Sequence, residues 1–137
     1  MPRQLVDTNV LVRFFTGDPP EMADKTRKLV ADADQGDVTL VVLPLIIAEI
    51  FFTLESYYTI NRRDVAEKLL AFLQCRGLEI PERDQVFDAL KRCRDKNAHF
   101  ADAYLAATAA YHHYPVASFD RDFDKFNDVQ RIEPRGK

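Results

Sequence analysis

Arg3-Gln4-Leu5-Val6-Asp7-Thr8-Asn9-Val10-Leu11-Val12-Arg13 decides the fold, because it places an acidic side chain where a short strand hands over to a helix. Leu5 and Val6 read as the end of a strand, while Val10, Leu11, Phe14 and Phe15 recur at helical spacing. Asp7 therefore falls in the strand-to-helix turn, and in open α/β sheets ligands bind in the crevice beyond the carboxyl ends of the strands. Two plainer readings compete: Asp7 as a helix N-cap, or Asp7-Thr8-Asn9 as ordinary turn chemistry. Three further acids in comparably awkward places, Glu49, Asp102 and Asp120, shift the balance towards function.

Working outward, Gly17 closes the first helix, Asp18 can cap the next and Pro19 suits its first turn. A polar helix runs to about Gly36 with Met22, Leu29, Val30 and Ala33 as its apolar stripe. Val38 to Leu43 is continuous and rich in β-branched residues, as in a strand covered on both faces of a parallel sheet. Pro44 then opens a helix to about Tyr58 that is apolar nearly all round, which implies a second helical layer or a partner subunit. Glu49 sits in the middle of it, so it is expected to face a cation, a basic side chain or a water-filled cleft. A merely structural pairing with an arginine is the plain alternative.

Asn61 with Asp64 marks a further helix start, with Val65, Leu69, Leu70, Phe72 and Leu73 buried up to Gly77. Leu78 to Ile80 is a short strand, and Pro81 to Asn97 a helix with Val86, Phe87, Leu90 and Cys93 inside. Lys91, Arg92, Arg94 and Lys96 at its end read as a solvated face suited to the helix dipole, with phosphate contact as the minor alternative. In the helix from His99 to Tyr111, Ala98, Asp102, Leu105, Ala106 and Ala109 share a face expected to press on the sheet. Asp102 is costly there unless something uses it, although a first-turn Asp also complements the helix dipole. His112 and His113 lack partners at metal-ligand spacing and read as surface residues. Pro115 to Ser118 is a fourth strand, after which Asp120 repeats the placement of Asp7, and Val129 to Ile132 is a fifth. Pro134 to Lys137 is a tail expected to fray. The alternation means a mostly parallel sheet of about five strands wrapped by helices, with Asp7 and Asp120 flanking the switch point if strands one and four are neighbours.

A chain of 137 residues fits one domain over 1–137, of a size that buries roughly two-thirds of its unfolded surface. Hydrophobic residues at 47% and charged residues at 30% exclude a disordered or low-complexity chain. A net charge of -3, from 19 basic and 22 acidic residues, neither demands nor excludes a nucleic-acid partner. Cys75 and Cys93, without metal-ligand spacing and with no targeting segment in view, are expected to be buried or idle thiols of a cytoplasmic protein. The most apolar run, Val38 to Leu54, is broken by Pro44 and Glu49, so no membrane association is expected.

If Asp7, Glu49, Asp102 and Asp120 converge, each ionised pair about 6 Å apart repels by roughly 3 kcal/mol, which calls for raised pKa values or a bound cation. Carboxylates without His or Cys suit Mg²⁺ or Mn²⁺, and phosphodiester hydrolysis is the matching reaction. Val6-Asp7-Thr8-Asn9-Val10-Leu11-Val12-Arg13, Ala48-Glu49-Ile50-Phe51-Phe52-Thr53-Leu54-Glu55, Phe100-Ala101-Asp102-Ala103 and Ser118-Phe119-Asp120-Arg121-Asp122-Phe123 together resemble the PIN-domain ribonucleases, and more closely the VapC-type toxins of toxin-antitoxin pairs. The resemblance implies a PIN-like α/β/α sandwich and a Mg²⁺-dependent endoribonuclease that leaves a 5'-phosphate and a 3'-hydroxyl. It implies Asp7 and Asp102 as principal metal ligands, Asp120 as the fourth acid and Glu49 as a residue placing the metal or its water. Thr8, Asn9 and Ser118 resemble the polar residues that hold the acids in position. His99 stands where a further acid is common, and Asp120, Asp122 and Asp124 compete for the fourth place. A homodimer and a cognate antitoxin that inserts a basic side chain among the acids are also implied. The alternatives are a non-catalytic protein- or RNA-binding module of the same fold, and a metal-dependent phosphatase, against which Asn9 in place of a second Asp weighs.

Overall fold

Residues 2–136 are described by the computed structural model; Met1 and Lys137, the first residue of the chain and the last of the expected C-terminal tail, lie outside them. The order is β1 (Arg3–Leu5), α1 (Thr8–Thr16), α2 (Pro20–Asp34), β2 (Thr39–Val41), α3 (Pro44–Ser56), α4 (Arg62–Phe72), β3 (Leu78–Glu79), α5 (Arg83–Lys96), α6 (Phe100–His112), β4 (Val116–Ala117), a 3₁₀ turn over Arg121–Lys125 and β5 (Arg131–Ile132). This is an α/β fold of six helices and small parallel sheets, in keeping with the α/β/α sandwich read from the sequence. Leu40 on β2, Val42 just after it, and Leu11, Ile47, Ile50, Leu54, Leu69, Val86 and Leu90 on the surrounding helices form the dry centre.

All strand pairs are parallel, but the strands divide into β1-β2-β3 and β4-β5 instead of forming one sheet. Each is only two or three residues long, so a ladder contributes few hydrogen bonds and little holds the two groups in one plane. The junction between strands one and four that would have flanked Asp7 with Asp120 is therefore not hydrogen-bonded among the described residues. Gly77, in the left-handed region at φ 79°, lets the chain into β3 pass close to α2; a Cβ there would collide with the Ala33 backbone.

Three local readings are corrected by the packing. The second helix begins with Pro19 at its N-cap and Pro20 in its first turn, so Asp18 is not the cap. Its buried stripe is Ala23, Thr26, Val30 and Ala33, and Met22 is exposed. Helix α6, with its alanines buried, packs chiefly on α5 and less on α3 and β4, while Leu105 faces outward. The Asn61 reading stands, its side chain accepting from the Asp64 N–H at 2.9 Å. Burial pushes the Cys93 thiol up to about 12, and Cys75, its thiol also raised by burial, points at Asp34; both thiols are free and poorly nucleophilic.

Candidate active site

The Val6 N–H donates to the Val41 carbonyl at 3.2 Å, which carries the β1-β2 register one residue beyond β1 and sets Asp7 at the carboxyl edge. Asp7 then occupies the N-cap position of α1 with an extended backbone (φ -79°, ψ 153°), yet its side chain makes no capping hydrogen bond. Its carboxylate is exposed and unspent on the helix. No hydrogen bond joins Thr8 or Asn9 to it among the described residues, so neither braces it.

Glu49 lies on α3, where Ile47, Ile50, Phe51 and Leu54 turn inward. Leu45, Glu49, Phe52 and Ser56, spaced by one turn each, form an open stripe. The expectation of a helix buried on several sides is thus corrected for this chain alone: Glu49 is exposed and, among the described residues, forms no ion pair. Asp102, half-buried, occupies the first turn of α6, where its charge also suits the helix N-terminus.

Asp120 is the one acid of the set held in place. Ser118 Oγ accepts from the Asp120 N–H at 2.9 Å, and Asp120 Oδ1 accepts from the Asp122 N–H at 2.8 Å, which starts the 3₁₀ turn. Asp122 is exposed. Asp124 is committed elsewhere: Arg131 binds it at 3.0 Å and holds its carboxyl below the usual range. Of the three competing acids, Asp124 alone is in an ion pair among the described residues.

The elements carrying these acids form a row, α1 packing on α3, α3 on α6 and α6 on β4. Among the described residues, however, no three His, Cys, Asp or Glu side chains are gathered closely enough to hold a metal ion between them.

Beside Glu49 a cavity of about 400 Å³ opens between α3 and the start of α6, lined by Phe51, Phe52, Thr53, Glu55, His99 and Phe100 among others. Behind it lies a cation that sequence reasoning missed. Arg62 Nε donates to Glu55 Oε2 at 2.6 Å, Nη1 to the Asn97 carbonyl at 2.6 Å, and Nη2 lies 2.6 Å from His99 Nε2. Arg62 and Glu55 are each only 22% exposed in their side chains. Glu55 on a largely apolar helix was the signal that a cation had to come from elsewhere in the chain.

The basic cluster on α5 is mostly spent. Arg92 holds Asp88 and Asp128 and lies over the Phe126 ring, and Arg94 holds Asp95, which leaves only Lys91 and Lys96 of the four without an ion pair among the described residues. That favours the structural reading over phosphate contact. Tyr104 donates to Glu82, whose charge together with burial raises the phenol.

Among the described residues no helix is long and apolar enough to cross a membrane. Two comparisons bear on the site. The PIN domain family matches residues 5–129. No curated protein matches the chain.

Proposed function

The chain belongs to the PIN domain family, and on that premise we propose that it is a Mg²⁺- or Mn²⁺-dependent endoribonuclease, the VapC-type toxin of a type II toxin-antitoxin pair. PIN domains are commonly metal-dependent nucleases, so a nuclease-type hydrolase is the general expectation; the RNA substrate, the metal and the toxin role are the reading added here. The observation that carries it is Asp7: an acid in a capping position whose carboxylate caps nothing, exposed at the carboxyl edge of a parallel sheet.

The donor chemistry fits a hard cation, since these are carboxylates with neither thiolate nor imidazole among them. Magnesium is commonly held by one or two carboxylates with the rest of its shell water and substrate phosphate, so a three-acid cage is not required. Asp7 and Asp102 would hold it, with Asp120, fixed by Ser118, as a further acid and Asp122 next to it. Bound there, the ion supplies activated water and neutralises charge on the phosphodiester. The chain's own part is to present these carboxylates along one edge, with Glu49 orienting the attacking water. Water attacks phosphorus, the bond to the 3'-oxygen breaks, and a 5'-phosphate and a 3'-hydroxyl are left.

A homodimer and a cognate antitoxin belong to the same proposal, as does a cytoplasmic location. The exposed Leu45 on α3 and Leu105 on α6, which line one apolar groove, supply surface for a second copy. The antitoxin would silence the site by placing an arginine among the acids. One observation favours the non-catalytic alternative: the absence of a three-acid group among the described residues.

Wild type and Asp7→Asn, incubated with a mixed structured RNA with and without Mg²⁺ or Mn²⁺, separate the two. Metal-dependent cutting that disappears in a variant of unchanged fold supports the nuclease. RNA left intact by both proteins supports the binding module.

A further inference from the structure

The cavity beside Glu49 is built unlike a phosphate or metal site. Two of its lining groups, Glu55 and His99, come from different elements and are held by one guanidinium, whose three nitrogens contact Glu55, the Asn97 carbonyl and the imidazole. Arginine only donates, so the His99 nitrogen facing it accepts. Glu49 and Glu55 bring two carboxylates to the cavity against that single spent cation, which repels a phosphate.

What remains open to a ligand is aromatic surface and acceptors. Phe52 is 68% exposed and the His99 side chain 60% exposed at the rim, while Phe51 and Phe100, ring centroids 5.9 Å apart, form an apolar floor. Glu55 Oε2 is taken by Arg62, but Oε1 stands 3.8 Å from His99 Nδ1, beyond a hydrogen bond. With Thr53 also in its lining, the cavity offers a spare carboxylate oxygen and a hydroxyl among apolar walls. Its volume of about 400 Å³ lies within the roughly 300–1,000 Å³ of small-molecule sites.

Resting on the endoribonuclease reading, we propose that this cavity is a base-reading subsite that takes one unstacked guanine of the RNA next to the scissile phosphate. Single-stranded RNA is read by splaying a base onto aromatic side chains and bonding its Watson–Crick edge. Guanine is the base whose edge presents two adjacent donor groups, N1–H and the N2 amino group, matching Glu55 Oε1 and Thr53 Oγ1. Phe52 and His99 stack on the ring, and Arg62 is the positioning residue that keeps Glu55 and His99 aimed. Glu49 at the same cavity wall ties the subsite to the acids.

Guanosine, inosine and adenosine 5'-monophosphates titrated into the metal-free full chain, followed by backbone amide shifts, test this without requiring cleavage. The guanosine nucleotide is expected to shift amides in 48–55 and 98–101 and to bind about tenfold more tightly than the inosine nucleotide, which lacks the N2 amino group, as a matched pair of hydrogen bonds allows. Phe52→Ala, at an exposed position, and Thr53→Val are expected to lose at least half of that preference; Glu55→Gln loses it too, with a thermal melt to show that Arg62 still holds. Equal binding of all three nucleotides, or shifts elsewhere, overturns the subsite. So does capture of N-acetylarginine amide at these residues without the guanosine nucleotide, which would make the cavity a receptor for a protein's basic side chain. If the guanosine nucleotide binds as described while RNA stays uncut, the subsite stands and the nuclease reading fails.

Discussion

Arg92 and Asp7 show two ways of carrying charge in one small domain. The Arg92 side chain, 12% exposed, is gripped by Asp88 and Asp128 and lies over Phe126, tying α5 to the segment before β5. Asp7, Glu49 and Asp102, along the row α1-α3-α6, form no ion pair among the described residues. That difference is why the proposed chemistry is placed at one edge of the molecule and an architectural clamp at the other.

The comparison breaks most sharply at Asp7. Asp7→Asn is expected to lower metal-dependent RNA cleavage by at least about 100-fold, since it removes a metal-holding group, while its melting temperature stays within about 2 °C of wild type. A large loss of stability with cleavage retained would move Asp7 to the architectural side. Arg92→Ala should do the reverse. Partly exposed partners discount a buried ion pair, so a cost of about 1–2 kcal/mol is expected in urea unfolding, with folded protein cutting RNA at the wild-type rate.

Acid titration sharpens the same line. Arg92 holds the Asp128 carboxyl, and Arg131 the Asp124 carboxyl, below the usual carboxylate range. A depressed folded pKa gives stability that is whole above the unfolded value, near 3.9, and is lost as pH falls through the folded one. Urea midpoints should therefore hold from neutral pH to about 5 and drop below about 4. Asp128→Asn should flatten that drop, and an unchanged acid limb would show the clamp to be idle. The smallest effect is expected from Arg131→Gln, whose partners Asp124 and Glu133 are more than half exposed: a shift in urea midpoint below that of Arg92→Ala.

Local signals in the chain were readable where a residue's own neighbours decide the outcome. The strand-to-helix passage at Asp7 and the Asn61 cap on Asp64 follow from patterns a few residues long, and the parallel sense of the strand pairs from the alternation of strands with helices. The open stripe Leu45, Glu49, Phe52, Ser56 was in the spacing too, but apolar residues on both sides masked it. What could not be read depends on distant partners. Arg62 reaches His99 across 37 residues, and Arg92 reaches Asp128 across 36. The division of the strands into two groups depends on packing between strands too short to declare their neighbours.

The central claim is that the unpaired acids at this edge receive a divalent cation. Mn²⁺ added in small steps to ¹⁵N-labelled protein broadens the amides nearest to it first. Broadening that begins around residues 7–9 and 101–103, and disappears from both in Asp7→Asn, is the predicted result. Broadening confined to Asp88 and Asp128, or spread evenly over the surface acids, would contradict it.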